Sequence, residues 1–361
     1  MNSSNEYEEA MKIASELSID KLHSFPGNDT SPSGEKMLYS SPNSTVYLDS
    51  LSSESELNMN NSPRKVKELC VVKTVKGQAF CYLLGKEYRI LKELDHPHII
   101  KPIEFNQTKT LQEQSASLYL PYYSKGELFQ LVKSKNGLGE SLSCSYLKQI
   151  SSAIEYLHEL NIAHRDIKLE NILVDDEANA KVIDFGFCYL SEYQTEEEHS
   201  KDIQTRVLES SIEANIMGTA AYLSPELIEL TSNGGLSICD SPDKIAEKLD
   251  ILKAGDIFAL GVTLFTMVTG VAPFASATKN DANYRALLLG KRKKCDWFWK
   301  KHIIAKSMTE KGLLSEEFKN LVEGMLDPNP SDRLTIFSVV NHPWMSKFIN
   351  PASEETNQVL C

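Results

Sequence analysis

Paired cysteines are missing from this sequence. Its seven cysteines (Cys70, Cys81, Cys144, Cys188, Cys239, Cys295, Cys361) are scattered, odd in number and never spaced C-x-x-C. Neither a disulfide framework nor a zinc site follows from such spacing, which points to a reducing compartment. The polar, acidic start has no basic flank before an apolar run, so no signal peptide is expected. No run of about 18 apolar residues stands out, so no membrane span is expected. An excess of positive charge is missing too: 38 Lys and Arg stand against 50 Asp and Glu, a formal net charge of -12. That argues against nucleic acid as a partner, because phosphate binding wants a basic surface. No G-x-x-x-x-G-K-[ST] loop occurs, which disfavours a nucleotide hydrolase of the Walker type. The expected location is the cytoplasm, with the nucleus left open.

The content that remains is ordinary for a globular chain, 41% hydrophobic and 24% charged over 361 residues. That length suits one large domain with two lobes, or two modest domains with tails. Residues 1–35 read as a polar extension, with a short amphipathic helix from Glu6 to Leu22 and a loop from Pro26 to Gly34. Residues 50–64 are rich in Ser, Asn and Glu and predict an unstructured insertion. Strands are expected at Ser44–Leu48, Leu69–Val75 and Leu118–Pro121, and a paired set at Ile172–Val174 and Ala180–Ile183. Helices are expected from Phe80 to Glu93, ended by Asp95-His96-Pro97, and along the stripe Leu147, Ile150, Ile154 and Leu157. Further helices follow at Ile251–Thr269, Glu316–Met325 and Ile336–Val340. A strand-rich first part and a helix-rich second part predict an α+β chain with two lobes.

The segment that carries most information is His164-Arg165-Asp166-Ile167-Lys168-Leu169-Glu170-Asn171, followed by Asp184-Phe185-Gly186. Upstream stands Val71-Val72-Lys73, and a lysine in a buried strand needs a counter-charge. Downstream lie Gly218-Thr219-Ala220-Ala221-Tyr222-Leu223-Ser224-Pro225-Glu226 and Asp256-Ile257-Phe258-Ala259-Leu260-Gly261. In these motifs, over about residues 36–348, the sequence resembles the eukaryotic protein kinase family, serine/threonine branch. The closing His342-Pro343-Trp344-Met345 loosely resembles the calcium/calmodulin-dependent group.

The resemblance implies a bilobal kinase domain at 36–348, with an N-lobe at about 36–120, a C-lobe at about 124–348 and a tail at 349–361. It implies transfer of the γ-phosphoryl of ATP, with Mg²⁺, to Ser or Thr hydroxyls of protein substrates. Asp166 would accept the hydroxyl proton, Lys168 would lie beside the γ-phosphate, and Asn171 and Asp184 would offer hard oxygen ligands to Mg²⁺. Lys73 would hold the α- and β-phosphates, with Glu87 as its partner. Val46, Val71 and Leu173 would flank the adenine, Leu120 would be the gatekeeper, and Pro121 and Tyr123 would give the hinge carbonyl and amide. Glu127 would contact ribose or a basic substrate residue; a surface glutamate opening a helix fits it equally well. Glu226 would pair with Arg333, Asp256 would brace the catalytic loop, and Thr219 would sit beside the catalytic aspartate. Arg165 and the long segment Phe187–Leu223, with Thr195, Ser200, Thr205, Ser210 and Ser211, imply control by an upstream kinase.

One departure stands out. The family's glycine-rich loop is replaced by Tyr39, Ser41 and Ser44, where glycine would let backbone N–H groups approach phosphates. It keeps a second reading open, a pseudokinase or scaffold with weakened nucleotide binding. The loop at about Thr231–Lys248 and the basic run Lys291-Arg292-Lys293-Lys294 read as solvated surface.

Overall fold

A computed structural model describes residues 37–57, 63–110, 114–190, 220–232 and 242–348. The helix expected at Glu6–Leu22, Thr219, most of the segment after Leu190 and the middle of the Thr231–Lys248 loop lie outside these residues.

The first lobe is a five-stranded antiparallel sheet. Its strands are β1 (Met37–Ser40), β2 (Ser44–Leu57), β3 (Pro63–Lys76), β4 (Glu104–Lys109) and β5 (Gln114–Pro121), in spatial order β1-β2-β3-β5-β4. Register places Val46 opposite Lys73 and Leu118, in turn, opposite Lys73 on the other side. The insertion expected to be unstructured at 50–64 is instead mostly strand, since β2 continues to Leu57 and β3 begins at Pro63. The ladder itself explains this: Ser50 to Glu54 pair with Leu69 back to Lys65, and backbone bonds propagate whatever the side chains.

Helix α1 (Gln78–Glu93) starts at Gly77, whose φ of 96° is a conformation that glycine adopts freely. Phe80, Leu83, Leu84, Glu87, Ile90 and Leu91 are buried at helical spacing, so the apolar stripe carries one carboxylate into the interior. Tyr88 stacks on Phe105 of β4 with ring centres 5.0 Å apart, tying the helix to the sheet.

The second lobe is helical. Helix α2 (Leu128–Lys135) and α3 (Gly139–Glu159) lead to the small strands β6 (Ile162–Ala163), β7 (Ile172–Val174), β8 (Ala180–Val182) and β9 (Tyr189–Leu190). Strand β6 pairs with β9 and β7 with β8, so two narrow ribbons present the loop between them. Then come α4 (Pro225–Ser232), α5 (Pro242–Thr269), α6 (Ala282–Lys293), α7 (Trp297–Lys301), α8 (Ile303–Glu310), α9 (Glu316–Met325), α10 (Ile336–Val340) and α11 (Pro343–Lys347).

Helix α5 corrects the sequence reading about apolar runs. Ala246–Thr269 is long and apolar enough to cross a membrane by length and composition. Most of it is buried inside the fold, as expected of a central core helix. Phe258, Leu260, Leu264 and Phe265 along it are fully buried. Its C-terminal end meets the end of α2 at a backbone crossing. A Cβ on Gly270 would lie 2.6 Å from the Asn136 carbonyl carbon, and one on Gly137 would lie 2.7 Å from the Val268 oxygen. Both positions also have positive φ, so only glycine fits without strain.

Candidate active site

The catalytic-loop motif is shaped by one aspartate on α5. Asp256, 1% exposed, accepts the Arg165 N–H through Oδ1 at 2.7 Å and the His164 N–H through Oδ2 at 2.8 Å. His158 Nε2 meets the same Oδ2 at 2.9 Å. Those bonds hold Arg165 at a φ of 71°, a conformation that costs a non-glycine residue free energy. The sequence had pointed to Asp256, but not to His158. A histidine in the last turn of a long helix carries no signal until that helix is packed.

His164 is fully enclosed. Its Nε2 faces the Ile183 carbonyl at 3.1 Å, its Nδ1 accepts the Asp166 N–H at 3.3 Å, and its ring meets Phe185 edge-on at 4.9 Å. Burial pushes its imidazole below the ordinary value, although Asp256 and Asp184 pull it back up. The neutral Nε2–H tautomer matches this pairing of a donor with a carbonyl and an acceptor with an amide.

Asp166 follows at 5% exposure, and its Oδ2 accepts from two side chains. Lys168 Nζ donates at 2.8 Å and Asn171 Nδ2 at 2.7 Å. The Asn171 amide also reaches the Asp166 carbonyl at 2.9 Å, so the loop is closed on itself. This leaves Asn171 Oδ1 as a buried acceptor with no hydrogen-bond partner. An oxygen in that state is costly in a folded protein and suits a cation ligand. Asp184, 2% exposed, has a φ of 65°. The Ile183 N–H before it bonds the Asn171 carbonyl at 3.0 Å, which sets the two oxygen-bearing residues side by side.

The first lobe contributes a buried ion pair. Lys73 Nζ lies 2.9 Å from Glu87 Oε2, with side chains 1% and 3% exposed. Burial is the largest influence on Glu87 and pushes its carboxyl up; Lys73 opposes that, and Asp184 adds to it. Asp184 is therefore near enough to be felt. Gly186 stands between the two acids: a Cβ there would lie 3.5 Å from Asp184 Oδ1 and 3.9 Å from Glu87 Oε2. Lys73, Glu87 and Asp184 thus converge where the two lobes meet.

The expected cleft walls are also placed. Val46 and Leu120 are buried at 2% and 3%, and Leu120 is in register with Val71, as Pro121 is with Cys70. Tyr123 accepts the Gly126 N–H through its carbonyl at 3.1 Å. Glu127 bridges to Leu173 and is 3% exposed, which overturns its reading as a surface glutamate. It precedes α2 without making a side-chain cap.

The region after β9 resumes at α4. Glu226 receives Arg333 Nη1 at 2.6 Å and Nη2 at 2.8 Å. Arg333 also donates to the Ala254 and Asp327 carbonyls at 2.7 and 2.9 Å and lies 5.0 Å from the centre of the Phe258 ring. Arg333 thus ties α4, α5 and the loop after α9 together, while Asp256 ties α5 to the catalytic loop.

Comparison with known proteins agrees with this geometry. The model of the protein kinase domain matches residues 60–345. CBL-interacting serine/threonine-protein kinase 13 of Arabidopsis thaliana is 30% identical over 268 residues, covering 73% of this chain and 42% of that protein. CBL-interacting protein kinase 29 of Oryza sativa subsp. japonica is 30% identical over 261 residues, covering 72% and 46%. Serine/threonine-protein kinase kin-29 of Caenorhabditis elegans is 31% identical over 264 residues, covering 73% and 25%. The chain spans less than half the length of these three relatives. With the motifs, the two lobes and the matched domain in agreement, the chain belongs to the protein kinase domain family.

Proposed function

We propose that the protein transfers the γ-phosphoryl of ATP to Ser or Thr hydroxyls of protein substrates. The observation that carries this is the buried Lys73–Glu87 pair at 2.9 Å, with a buried Asp184 close enough to act on the Glu87 carboxyl. A lysine held in place by one carboxylate, with a second carboxylate able to ligate a cation, suits the binding of a triphosphate better than it stabilises a fold, since buried charges repay their desolvation poorly.

Each residue has a role in that reading. Lys73, oriented by Glu87, binds the α- and β-phosphates. Asn171 Oδ1 and the Asp184 carboxylate hold magnesium, which when bound screens the phosphate charge. Asp166, its Oδ2 fixed by Lys168 and Asn171, accepts the proton of the substrate hydroxyl and aligns that oxygen for attack. Lys168 lies beside the transferred group, the residue type expected for Ser/Thr acceptors. Val46, Val71, Leu120 and Leu173 form the apolar adenine slot, Pro121 and Tyr123 supply backbone groups, and Glu127 meets ribose or a basic substrate residue. Arg165, whose Nη1 donates to the Phe187 carbonyl at 3.3 Å, links the loop to the segment that an upstream kinase would phosphorylate.

The test uses purified protein, magnesium, labelled ATP and a degenerate peptide library. Wild type is expected to label Ser/Thr peptides, and Asp166→Asn and Asp184→Asn are expected to abolish labelling. A protein that labels nothing, even after phosphorylation by another enzyme, would instead be a scaffold, the reading that the glycine-free hairpin and the buried Tyr39 favour.

A further inference from the structure

The hairpin between β1 and β2 has no glycine, and its serines are used in different ways. Ser41 is satisfied within the turn. Its N–H donates to the Ser44 carbonyl at 2.7 Å, its hydroxyl reaches the same carbonyl at 3.3 Å, and its Oγ accepts the Ser44 N–H at 3.1 Å. Two backbone donors of the turn are therefore spent internally. Ser44 is the opposite case: the residue is 2% exposed, and its Oγ is buried with no hydrogen-bond partner. A hydroxyl in that state has given up its hydrogen bonds to water without a replacement, which is costly unless a ligand supplies one.

Register decides which side of the sheet this hydroxyl occupies. Side chains alternate along a strand, and directly opposed residues share a face. Ser44 therefore shares a face with Val46 two positions on, and Val46 is opposite Lys73. Ser44 itself is opposite Val75, and both Val75 and Lys73 are buried. The unmet hydroxyl thus lies on the same face of the sheet as the lysine paired with Glu87. Thr45, between them in sequence, belongs to the other face.

We propose that the Ser44 hydroxyl donates a hydrogen bond to the nucleotide's terminal phosphates, taking over the work that backbone N–H groups do in a glycine-rich hairpin. The assignment rests on the ATP-binding reading of the Lys73 site. It makes Ser44 a ligand-contacting residue specific for the polyphosphate rather than for the nucleoside. It also has an unusual consequence. Replacing Ser44 by glycine, the residue type that such a loop ordinarily carries, weakens ATP binding instead of improving it.

Binding of ATP, ADP and adenosine to the full chain, titrated by calorimetry, tests the assignment in wild type, Ser44→Ala, Ser44→Gly, Ser44→Thr and Thr45→Val. Thermal melts confirm that each variant is folded. A hydrogen bond to a charged group predicts that Ser44→Ala and Ser44→Gly bind ATP at least about tenfold more weakly, with adenosine affinity unchanged. Ser44→Thr, which keeps a hydroxyl, and Thr45→Val, on the other face, are expected to match wild type for ATP. Ser44→Ala and Ser44→Gly binding ATP as wild type does, or losing ATP and adenosine affinity equally, overturns the Ser44 assignment and leaves the kinase reading intact. Wild type that binds none of the three ligands overturns both.

Discussion

Arg333 and Glu226, 107 residues apart, meet through two parallel N–H···O bonds of 2.6 and 2.8 Å. The arginine side chain is fully buried and the glutamate side chain 15% exposed, so the pair stands largely outside solvent. Removing one partner would leave the other uncompensated. Glu226→Ala is expected to lower unfolding free energy by about 3–5 kcal/mol, and Glu226→Gln by less, because its amide oxygen still accepts one bond. Urea denaturation measures this. Losses below about half a kcal/mol in both variants would show that the pair is energetically idle.

Asp256 predicts a different kind of defect. Asp256→Ala strands the N–H groups of His164 and Arg165 and removes what holds Arg165 at a φ of 71°. The loop then drifts, and misplacement by about 1 Å can cost roughly a hundredfold in rate. The expected result in the phosphotransfer assay is a large fall in kcat with a small change in the KM for ATP. Equal damage to both parameters would point to a general loss of fold.

Lys73→Met separates stability from chemistry. Burial already holds the Glu87 carboxyl above its ordinary value, and loss of the lysine pushes it higher still. The lone acid then takes up a proton, so the variant folds while losing phosphotransfer. The sign of the pH effect follows. With a folded pKa above the unfolded one, the unfolded chain binds fewer protons, and stability is lost as pH rises from the ordinary carboxylate range toward neutrality. Chemical denaturation of Lys73→Met from pH 5 to 8 should show that decline more steeply than wild type. A parallel curve would mean that Glu87 remains ionised without its partner.

Histidines pull in the other direction on acidification. Burial lowers His96, His164, His302 and His342. Each binds a proton more readily when unfolded, so stability is full above roughly pH 6.5 and falls as pH drops below it. His302 accepts the Ala305 N–H and faces the Ala272 carbonyl at 3.4 Å, a neutral arrangement. His302→Asn, which can keep the cap, is expected to reduce the slope of stability against pH between 5 and 6.5 by up to about 1.4 kcal/mol per unit. An unchanged slope in denaturation curves would remove His302 from the account.

The glycine crossing gives a steric prediction. Gly270→Ala puts a methyl group 2.6 Å from the Asn136 carbonyl carbon, well inside van der Waals contact, at a backbone φ of 79°. Backbone atoms cannot swing aside as a flexible side chain can. A loss of about 3 kcal/mol or more is expected in thermal melts, against about 1 kcal/mol for Gly139→Ala, where nothing lies within 4 Å and only the positive φ resists.

Much of the site was legible because its motifs are local. His164 to Asn171 and Asp184 to Gly186 lie within a short stretch, so the acids, amide and lysine proposed to handle hydroxyl, phosphate and cation are read together from the sequence. Glu87 came through the family resemblance, as the glutamate expected on the helix after the Lys73 strand, and the fold then buried it on that helix's apolar stripe. Asp256 and Arg333 came through family resemblance, and His158 did not come at all. The 50–64 stretch was misread because composition reports whether a segment can build a core, whereas a strand needs only a partner backbone.

The amino-acid order alone settled which groups are present and which neighbours they keep along the chain: the acid loop, the lysine in a β-branched run, the missing glycines. Folding settled what those groups face. It buried Glu127 and turned the Ser44 hydroxyl toward the side that Lys73 occupies. It also brought Arg333 to Glu226 across the second lobe. The physical reason is that burial and hydrogen-bond partnership depend on residues distant in sequence, and strand register, which assigns every side chain to one face or the other, is fixed only when the sheet has formed.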